Sequence, residues 1–168
     1  MAARDSSGGN SGWIWKGAMV PQLPATTSTV PVALSASNSL TAFTIQYAGP
    51  SSFNLSPTQL LIANGLDGRA ACYLGFDHIN NSLFLVNDAG TDLLPGPIKL
   101  NSAISPPSLE NSQCKISADG STFVDSGSTL TLRLNIQLKS GFNGKVIYGA
   151  AQTTAGANSG WRVVGFVQ

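Results

Sequence analysis

The most conspicuous shortage in this 168-residue chain is of charge: only 10% of the residues are Asp, Glu, Lys or Arg, and the net charge is +1 at pH 7. A nucleic-acid-binding surface needs a basic stripe, and attachment to an anionic membrane needs a polybasic one. No apolar run approaches the roughly 20 residues that span a bilayer. We therefore expect neither nucleic acid as a partner nor membrane insertion.

Titratable groups suited to catalysis are equally scarce. The chain has one histidine, His78, and one glutamate, Glu110, and it lacks the Gly-x-Ser-x-Gly motif of a nucleophile elbow. Six of its eight acidic residues lie in turn-like contexts, whereas a glycosidase needs two carboxylates that face one cleft. We expect no enzymatic activity, no cofactor and no metal site.

Glu, Lys, Gln and Arg, which commonly cover helices, are largely replaced by small polar residues. Ser, Thr and Asn together supply 45 of the 168 residues, and there are 18 Gly and 9 Pro. These residues favour strands and turns. The composition predicts an all-β protein, and its neutral, hydroxyl-rich surface predicts an extracellular or cell-surface location.

Period-two alternation of apolar and polar residues marks the strands. The clearest is Ser128–Lys139, where five Leu and Ile residues alternate with polar ones, and the same pattern recurs in Phe43–Tyr47 and Cys72–Phe76. Turns between apolar segments predict two hairpins: Ala70–Asn87, and Gly144–Gln152 with Gly160–Val167. We predict a β-sandwich, immunoglobulin-like or jelly-roll, of about eight to ten strands with an extra N-terminal strand.

Proline modifies this prediction at three places. Pro31 cannot donate to a β-ladder, so Val30–Leu34 is predicted to be an edge strand. Pro57–Ala63 fits either a strand or one helical turn. The stretch from Pro95 to Pro107 is interpreted as mainly loop.

The only two cysteines, Cys72 and Cys114, favour one disulfide. Neither belongs to a Cys-x-x-Cys motif, and His78 alone cannot complete a zinc site with them. Closing a loop of about 43 residues would stabilise the fold by roughly 4 kcal/mol on the chain-entropy model. Two buried free thiols are the alternative.

An internal repeat is the most informative feature. Residues 2–17 and 150–165 align without gaps and are identical at 8 of 16 positions, including the block Asn-Ser-Gly-Trp at 10–13 and 158–161. A common turn sequence accounts for Asn, Ser and Gly, but not for the aligned Trp or the paired Ala. The repeat divides the chain into an N-terminal strand (1–21), an extended linker (22–29) and the β-sandwich domain (30–168).

The N-terminal copy is predicted to be a strand without a parent sheet. Its predicted assembly residues are Trp13, Ile14, Trp15 and Met19. Their repeat partners in the C-terminal copy are Trp161 and Val163. An unpaired strand carrying two Trp is an aggregation liability. It is therefore either the tail of a preceding module or a strand that docks on its own sheet or on a neighbouring subunit.

A candidate ligand face comes from aromatic residues. Flat rings beside Asn, Asp and Gln can stack on sugars, and Tyr73 and Tyr148 are the candidates for such a carbohydrate site. The alternative is that these two rings, together with that of Trp161, pack in the core or contact a docked strand.

Several short motifs occur in a fixed order: Cys-Tyr-Leu at 72–74, Asn-Ser-Leu-Phe-Leu-Val-Asn-Asp-Ala-Gly at 81–90, Asn-Ser-Gln-Cys at 111–114, Phe-Asn-Gly-Lys at 142–145 and Asn-Ser-Gly-Trp at 158–161. The series resembles a repeat module of large secreted bacterial proteins of the acidobacterial type. The resemblance covers roughly residues 27–168, with 2–20 as the tail of a preceding copy. It implies a tandem, cell-surface or secreted β-sandwich module, and it does not imply a catalytic activity.

Two functions remain in competition. The first is a structural building block of a cell-surface fibre or stalk, with other copies of itself or neighbouring modules as partners. The second is a carbohydrate-binding or adhesion module.

Overall fold

The computed structural model describes residues 32–38, 42–49, 54–103 and 106–167. Within these ranges the chain forms strands and no α-helix, so no helix there could cross a membrane. The eleven strands are β1 (Val32–Asn38), β2 (Ala42–Ala48), β3 (Leu55–Ala63), β4 (Cys72–Asp77), β5 (Ser82–Leu85), β6 (Ile98–Lys99), β7 (Ser108–Glu110), β8 (Cys114–Asp125), β9 (Thr129–Leu138), β10 (Val146–Thr153) and β11 (Arg162–Phe166).

The strands form two antiparallel sheets that pack face to face, and this confirms the predicted β-sandwich. One sheet has the order β1-β2-β9-β8-β7, and the other has the order β11-β10-β3-β4-β5-β6. Both predicted hairpins are present, as the antiparallel pairs β4–β5 and β10–β11. The short strand β6 lies within the stretch from Pro95 to Pro107 that the sequence assigned mainly to loop, and the short strand β7 begins directly after Pro107.

The alternation in sequence becomes alternation in burial. In β9, at the centre of its sheet, Leu130, Leu132, Leu134 and Ile136 are all buried. Strand β2 behaves the same way, with Phe43, Ile45 and Tyr47 facing inward. These side chains meet Leu60, Ile62, Leu74 and Phe76 of the opposite sheet in one continuous core. Apolar burial between the sheets is therefore the main force that holds the sandwich together.

The structure resolves the proline-dependent choices. Leu55–Ala63 is a strand, β3, and it lies between β10 and β4 inside its sheet. Strand β1 (Val32–Asn38) is the edge strand of its sheet among the described residues, as predicted for Val30–Leu34, of which residues 30 and 31 lie outside the described ranges. The edge strand β11 of the other sheet lies against β1, so the sheets meet along this side of the sandwich.

The predicted disulfide is confirmed. Cys72 and Cys114 are bonded, with their Cα atoms 5.6 Å apart. Because Cys72 belongs to β4 and Cys114 to β8, the bond joins the two sheets covalently. The predicted N-terminal strand (1–21) and linker (22–29), with Trp13, Ile14, Trp15 and Met19, lie outside the described residues.

Candidate functional site

A second, smaller apolar cluster covers the outer face of the six-stranded sheet. Its buried members are Leu61, Ala63 and Ala71, and the half-buried rings of Tyr73, Tyr148 and Trp161 pack on them. Strand register explains the grouping, because it sets four side chains in one row across four strands: Val163, Tyr148, Leu61 and Tyr73. The tertiary fold thus brings both predicted ligand-face tyrosines together with both repeat partners.

The Asn-Ser-Gly-Trp block forms the turn that delivers Trp161 to this cluster. The Asn158 Oδ1 atom accepts a hydrogen bond from the Gly160 amide at 2.7 Å, and Gly160 has a φ of +64°, which favours glycine. The Ser159 hydroxyl accepts a hydrogen bond from the Ala151 amide at 2.9 Å. The turn is therefore tied to β10 before β11 begins.

The rings meet edge to face. The centroids of Tyr73 and Trp161 are 5.7 Å apart, and their planes make an angle of 67°. Such a pair contributes about 0.5–1.5 kcal/mol beyond the area it buries. The Tyr73 hydroxyl also donates a 2.8 Å hydrogen bond to the Gln59 side-chain oxygen. Partial burial raises the pKa of Tyr73. The three rings therefore form a packed cluster on the outer face of the sheet.

Strand β11 forms the edge of this face. Val163 is one of the more exposed large apolar residues, at 38% of its maximum, whereas Val164 and Val167 are buried in the main core. The outer side of β11 therefore continues the aromatic row up to the sheet edge. Among the described residues β11 is the last strand of its sheet, and β1 of the other sheet lies against it.

The Asn-Ser-Gln-Cys motif forms a clamp between the sheets, which we call the Asn111 clamp (Asn111–Cys114 and the groups they bind). The Asn111 Nδ2 atom donates to the carbonyls of Ala71 and Val86, each at 3.1 Å, on the six-stranded sheet. Its Oδ1 atom accepts from the amides of Gln113 and Cys114, each at 2.9 Å. The buried Asn111 side chain thus makes all four hydrogen bonds that an amide can make, two donated and two accepted, directly beside the disulfide.

A second contact extends the Asn111 clamp to the surface. The Asp88 carboxylate accepts hydrogen bonds from the Ser112 amide at 3.1 Å and from the Ser112 hydroxyl at 2.7 Å. Asp88 follows β5 of the six-stranded sheet, and Ser112 precedes β8 of the other sheet. The motifs at 81–90 and 111–114 thus have one structural role, which is to fasten the two sheets together.

The single histidine also joins the sheets. His78, which is buried, lies after β4, and its Nε2 atom is 3.5 Å from a carboxylate oxygen of Asp125 at the end of β8. The imidazole packs against Phe76 and Phe123, with centroid distances of 6.0 and 5.3 Å. His78 is therefore packed between the sheets and is not exposed at the surface as an acid or base.

Two further carboxylates, those of Asp77 and Glu110, belong to a turn and to a surface ion pair. Partial burial raises the pKa of Asp77, but hydrogen bonds from Asn80, Ser56 and Ile79 outweigh it and hold that pKa below its ordinary value. A hydrogen bond from Lys139, at 2.6 Å, lowers the pKa of Glu110. Across the described part of the chain, no three His, Cys, Asp or Glu residues group as a metal site would require.

Sequence reasoning did not find the polar contacts that complete these features. The sequence did not indicate Gln59, Asn111 or the His78–Asp125 pair as site residues. It also did not predict an open polar cleft of about 470 Å³, which lies between Lys99 and the bulge of β8 near Gly120. The one available indication was Asn111 itself, because an Asn side chain commonly accepts hydrogen bonds from the backbone amides that follow it.

No known protein family, curated protein or solved structure matches this chain.

Proposed function

We propose that the chain is a non-catalytic, extracellular structural module, a building block of a cell-surface fibre or stalk that assembles by β-strand complementation through residues 1–21. The observation that carries the proposal is the repeat. Its C-terminal copy is the turn and edge strand β11, whose Trp161 is held in an apolar cluster. The N-terminal copy has the same turn residues and two Trp, and so requires a β-partner of the same kind.

The construction of the sandwich supports a load-bearing role. The sheets are joined by a disulfide, by the buried amide of Asn111 and by the Asp88–Ser112 contact, all at one end of β8. A disulfide persists in oxidising compartments, which supports an extracellular location. Links that cross between the sheets oppose their separation under tension, as a fibre subunit requires.

The experiment compares self-association of the full chain with that of a Trp13→Ser/Trp15→Ser variant, by sedimentation velocity and electron microscopy. The matched control is Arg4→Ser/Asp5→Ser, which alters the same segment outside the predicted strand. We expect the full chain and the control to form oligomers or filaments, and the double-Trp variant to remain a folded monomer. Removal of residues 1–21 should have the same effect. If neither change alters size or morphology, assembly through this strand is wrong.

A carbohydrate-binding module is the second candidate, favoured by the gathering of Tyr73, Tyr148 and Trp161 on one face beside Gln59. The test is glycan-array binding of the double-Trp monomer, compared with the same protein carrying Tyr148→Ala. Binding that is lost with Tyr148 would support this function. Absence of binding to any glycan would leave the structural role alone.

A further inference from the structure

We propose that Asn64 is a site of spontaneous covalent modification. The Gly65 backbone nitrogen attacks the Asn64 side-chain amide, which is converted to a carboxyl group, and position 64 becomes aspartate or isoaspartate. The inference is independent of the proposed function, because it concerns the chemistry of this chain alone.

The chain contains two Asn-Gly dipeptides, at 64–65 and at 143–144. Glycine after asparagine favours this reaction, because it has no Cβ atom to hinder its nitrogen and its backbone rotates most freely. The two dipeptides are identical, and Asn64 and Asn143 are both exposed. A difference in reactivity between them must therefore come from the fold.

The fold leaves the dipeptide at 64–65 without hydrogen bonds to the two reacting groups. Asn64 directly follows β3 and begins a bend. Among the residues that the structure describes, the Gly65 amide donates to no acceptor and the Asn64 side chain has no hydrogen-bond partner. A Cβ atom built on Gly65 would meet no atom within 4 Å. The nitrogen can therefore approach the Asn64 Cγ atom without giving up a contact.

The same dipeptide at 143–144 is held in a closed β-turn. The Lys145 amide donates to the Phe142 carbonyl at 3.1 Å, and the Gly144 amide donates to the Val167 carbonyl at 3.0 Å. Phe142 anchors this turn in the main core. Gly144 also has open space beside it, so hydrogen bonding and not crowding distinguishes the two sites. Attack by the Gly144 nitrogen would break its hydrogen bond, which protects Asn143.

The reaction needs water as its only co-reactant. The Gly65 nitrogen forms a bond to the Asn64 Cγ atom, the Cγ–Nδ2 bond breaks, and ammonia leaves with the proton from that nitrogen. Water then opens the resulting five-membered imide. Hydrolysis at Cγ gives aspartate, and hydrolysis at the Asn64 backbone carbonyl carbon gives isoaspartate. Either product adds one negative charge, which changes the formal net charge from +1 to 0.

The new carboxylate arises at the border of the aromatic face, by which we mean the outer face that carries Tyr73, Tyr148 and Trp161. Ala63, the residue directly before Asn64, is a buried member of the same cluster. In the isoaspartate form the main chain is also one atom longer where β3 ends. The modification therefore changes both charge and backbone beside this face.

The test follows both sites in the full chain by peptide mapping and mass spectrometry, at physiological temperature and mildly alkaline pH. In the folded protein we expect Asn64 to convert about fivefold faster than Asn143 or more, which is the factor that one hydrogen bond accounts for. In urea the two rates should become similar, because the turn at Asn143 is lost. Equal rates in the folded protein, or a ratio that urea leaves unchanged, would overturn the inference.

The variant Gly65→Val identifies the nucleophile. Valine fits the open space at position 65, where φ lies outside the left-handed region, and its branched Cβ hinders attack. Conversion of Asn64 should fall to the rate of Asn143 or below it. Leu66→Val is the matched control, since Leu66 is exposed and its replacement keeps the Asn-Gly dipeptide, so both rates should stay the same. Unchanged conversion in Gly65→Val, or aspartate formed without isoaspartate, would refute attack by Gly65.

Discussion

Substitution of Asn111 by alanine is the sharpest stability test of the inter-sheet clamp. The change removes four hydrogen bonds from one buried amide and leaves the carbonyls of Ala71 and Val86 and two amides without that partner. At about 1 kcal/mol net for each bond, we expect the free energy of unfolding to fall by about 3–5 kcal/mol. For a domain of this size, that corresponds to a decrease in Tm of about 6–20 °C.

The assay is equilibrium urea unfolding under non-reducing conditions, followed by circular dichroism. Ser126→Ala is the control, because exposed Ser126 donates one side-chain hydrogen bond, to the Thr129 carbonyl. Its expected effect is within about 0.5 kcal/mol. Equal stability of the Asn111→Ala and Ser126→Ala variants would refute the clamp.

The variant Asn111→Asp tests the same clamp through the pH dependence of its stability. The carboxylate retains both acceptor roles but points an oxygen at the carbonyls of Ala71 and Val86, where the amide donated. Burial and these oxygens raise the pKa of the new carboxyl in the folded state, so the protonated form is favoured. The variant should therefore be most stable below about pH 4, the unfolded pKa, and lose stability as the pH rises through the folded pKa. Unfolding curves at several pH values measure this trend relative to the unmodified chain.

Three further predictions concern the disulfide, the aromatic face and a turn carboxylate. The double substitution Cys72→Ala/Cys114→Ala removes the disulfide, which spans 42 positions, and should lower the free energy of unfolding by about 4 kcal/mol. An unchanged midpoint of urea unfolding would contradict this prediction. Trp161→Ala should lower it by about 2 kcal/mol through lost ring contacts, with Trp161→Phe retaining most of that stability in the same assay. Because the pKa of Asp77 is lowered in the folded protein, its ionised form stabilises the fold above the unfolded pKa, and this stabilisation is lost as the pH falls through the folded pKa. The free energy of unfolding should therefore fall less steeply with decreasing pH for Asp77→Asn than for the unmodified chain. Equal slopes for the two proteins would refute this role of Asp77.

The strands and the disulfide were predictable because their causes are local or compositional. Alternation in Ser128–Lys139 and in Phe43–Tyr47 reflects side chains that point to opposite faces of a strand, whatever the neighbouring strands are. Two cysteines without a metal-binding motif leave few arrangements, and a bond is one of them. Pro57 obscured β3, since a proline within an apolar segment fits both a strand and a helical start.

The clamp and the aromatic face could not be predicted in the same way. Asn111 reaches carbonyls of residues 71 and 86, and no periodic pattern encodes contacts over such separations. Likewise, Tyr73 and Trp161 are far apart in sequence, and their contact depends on which strands are neighbours and in what register. His78 and Asp125 meet only because the ends of β4 and β8 face each other across the sandwich.

The sequence alone determined that this chain buries one face of each described strand, that its two cysteines favour a bond, and that residues 2–17 repeat residues 150–165 in sequence. Those properties follow from side-chain periodicity, composition and self-similarity, which are readable residue by residue. The tertiary structure decided which strands are neighbours. Strand order and register therefore placed one copy of the repeat at a sheet edge beside the aromatic row and brought Asn111 between the sheets.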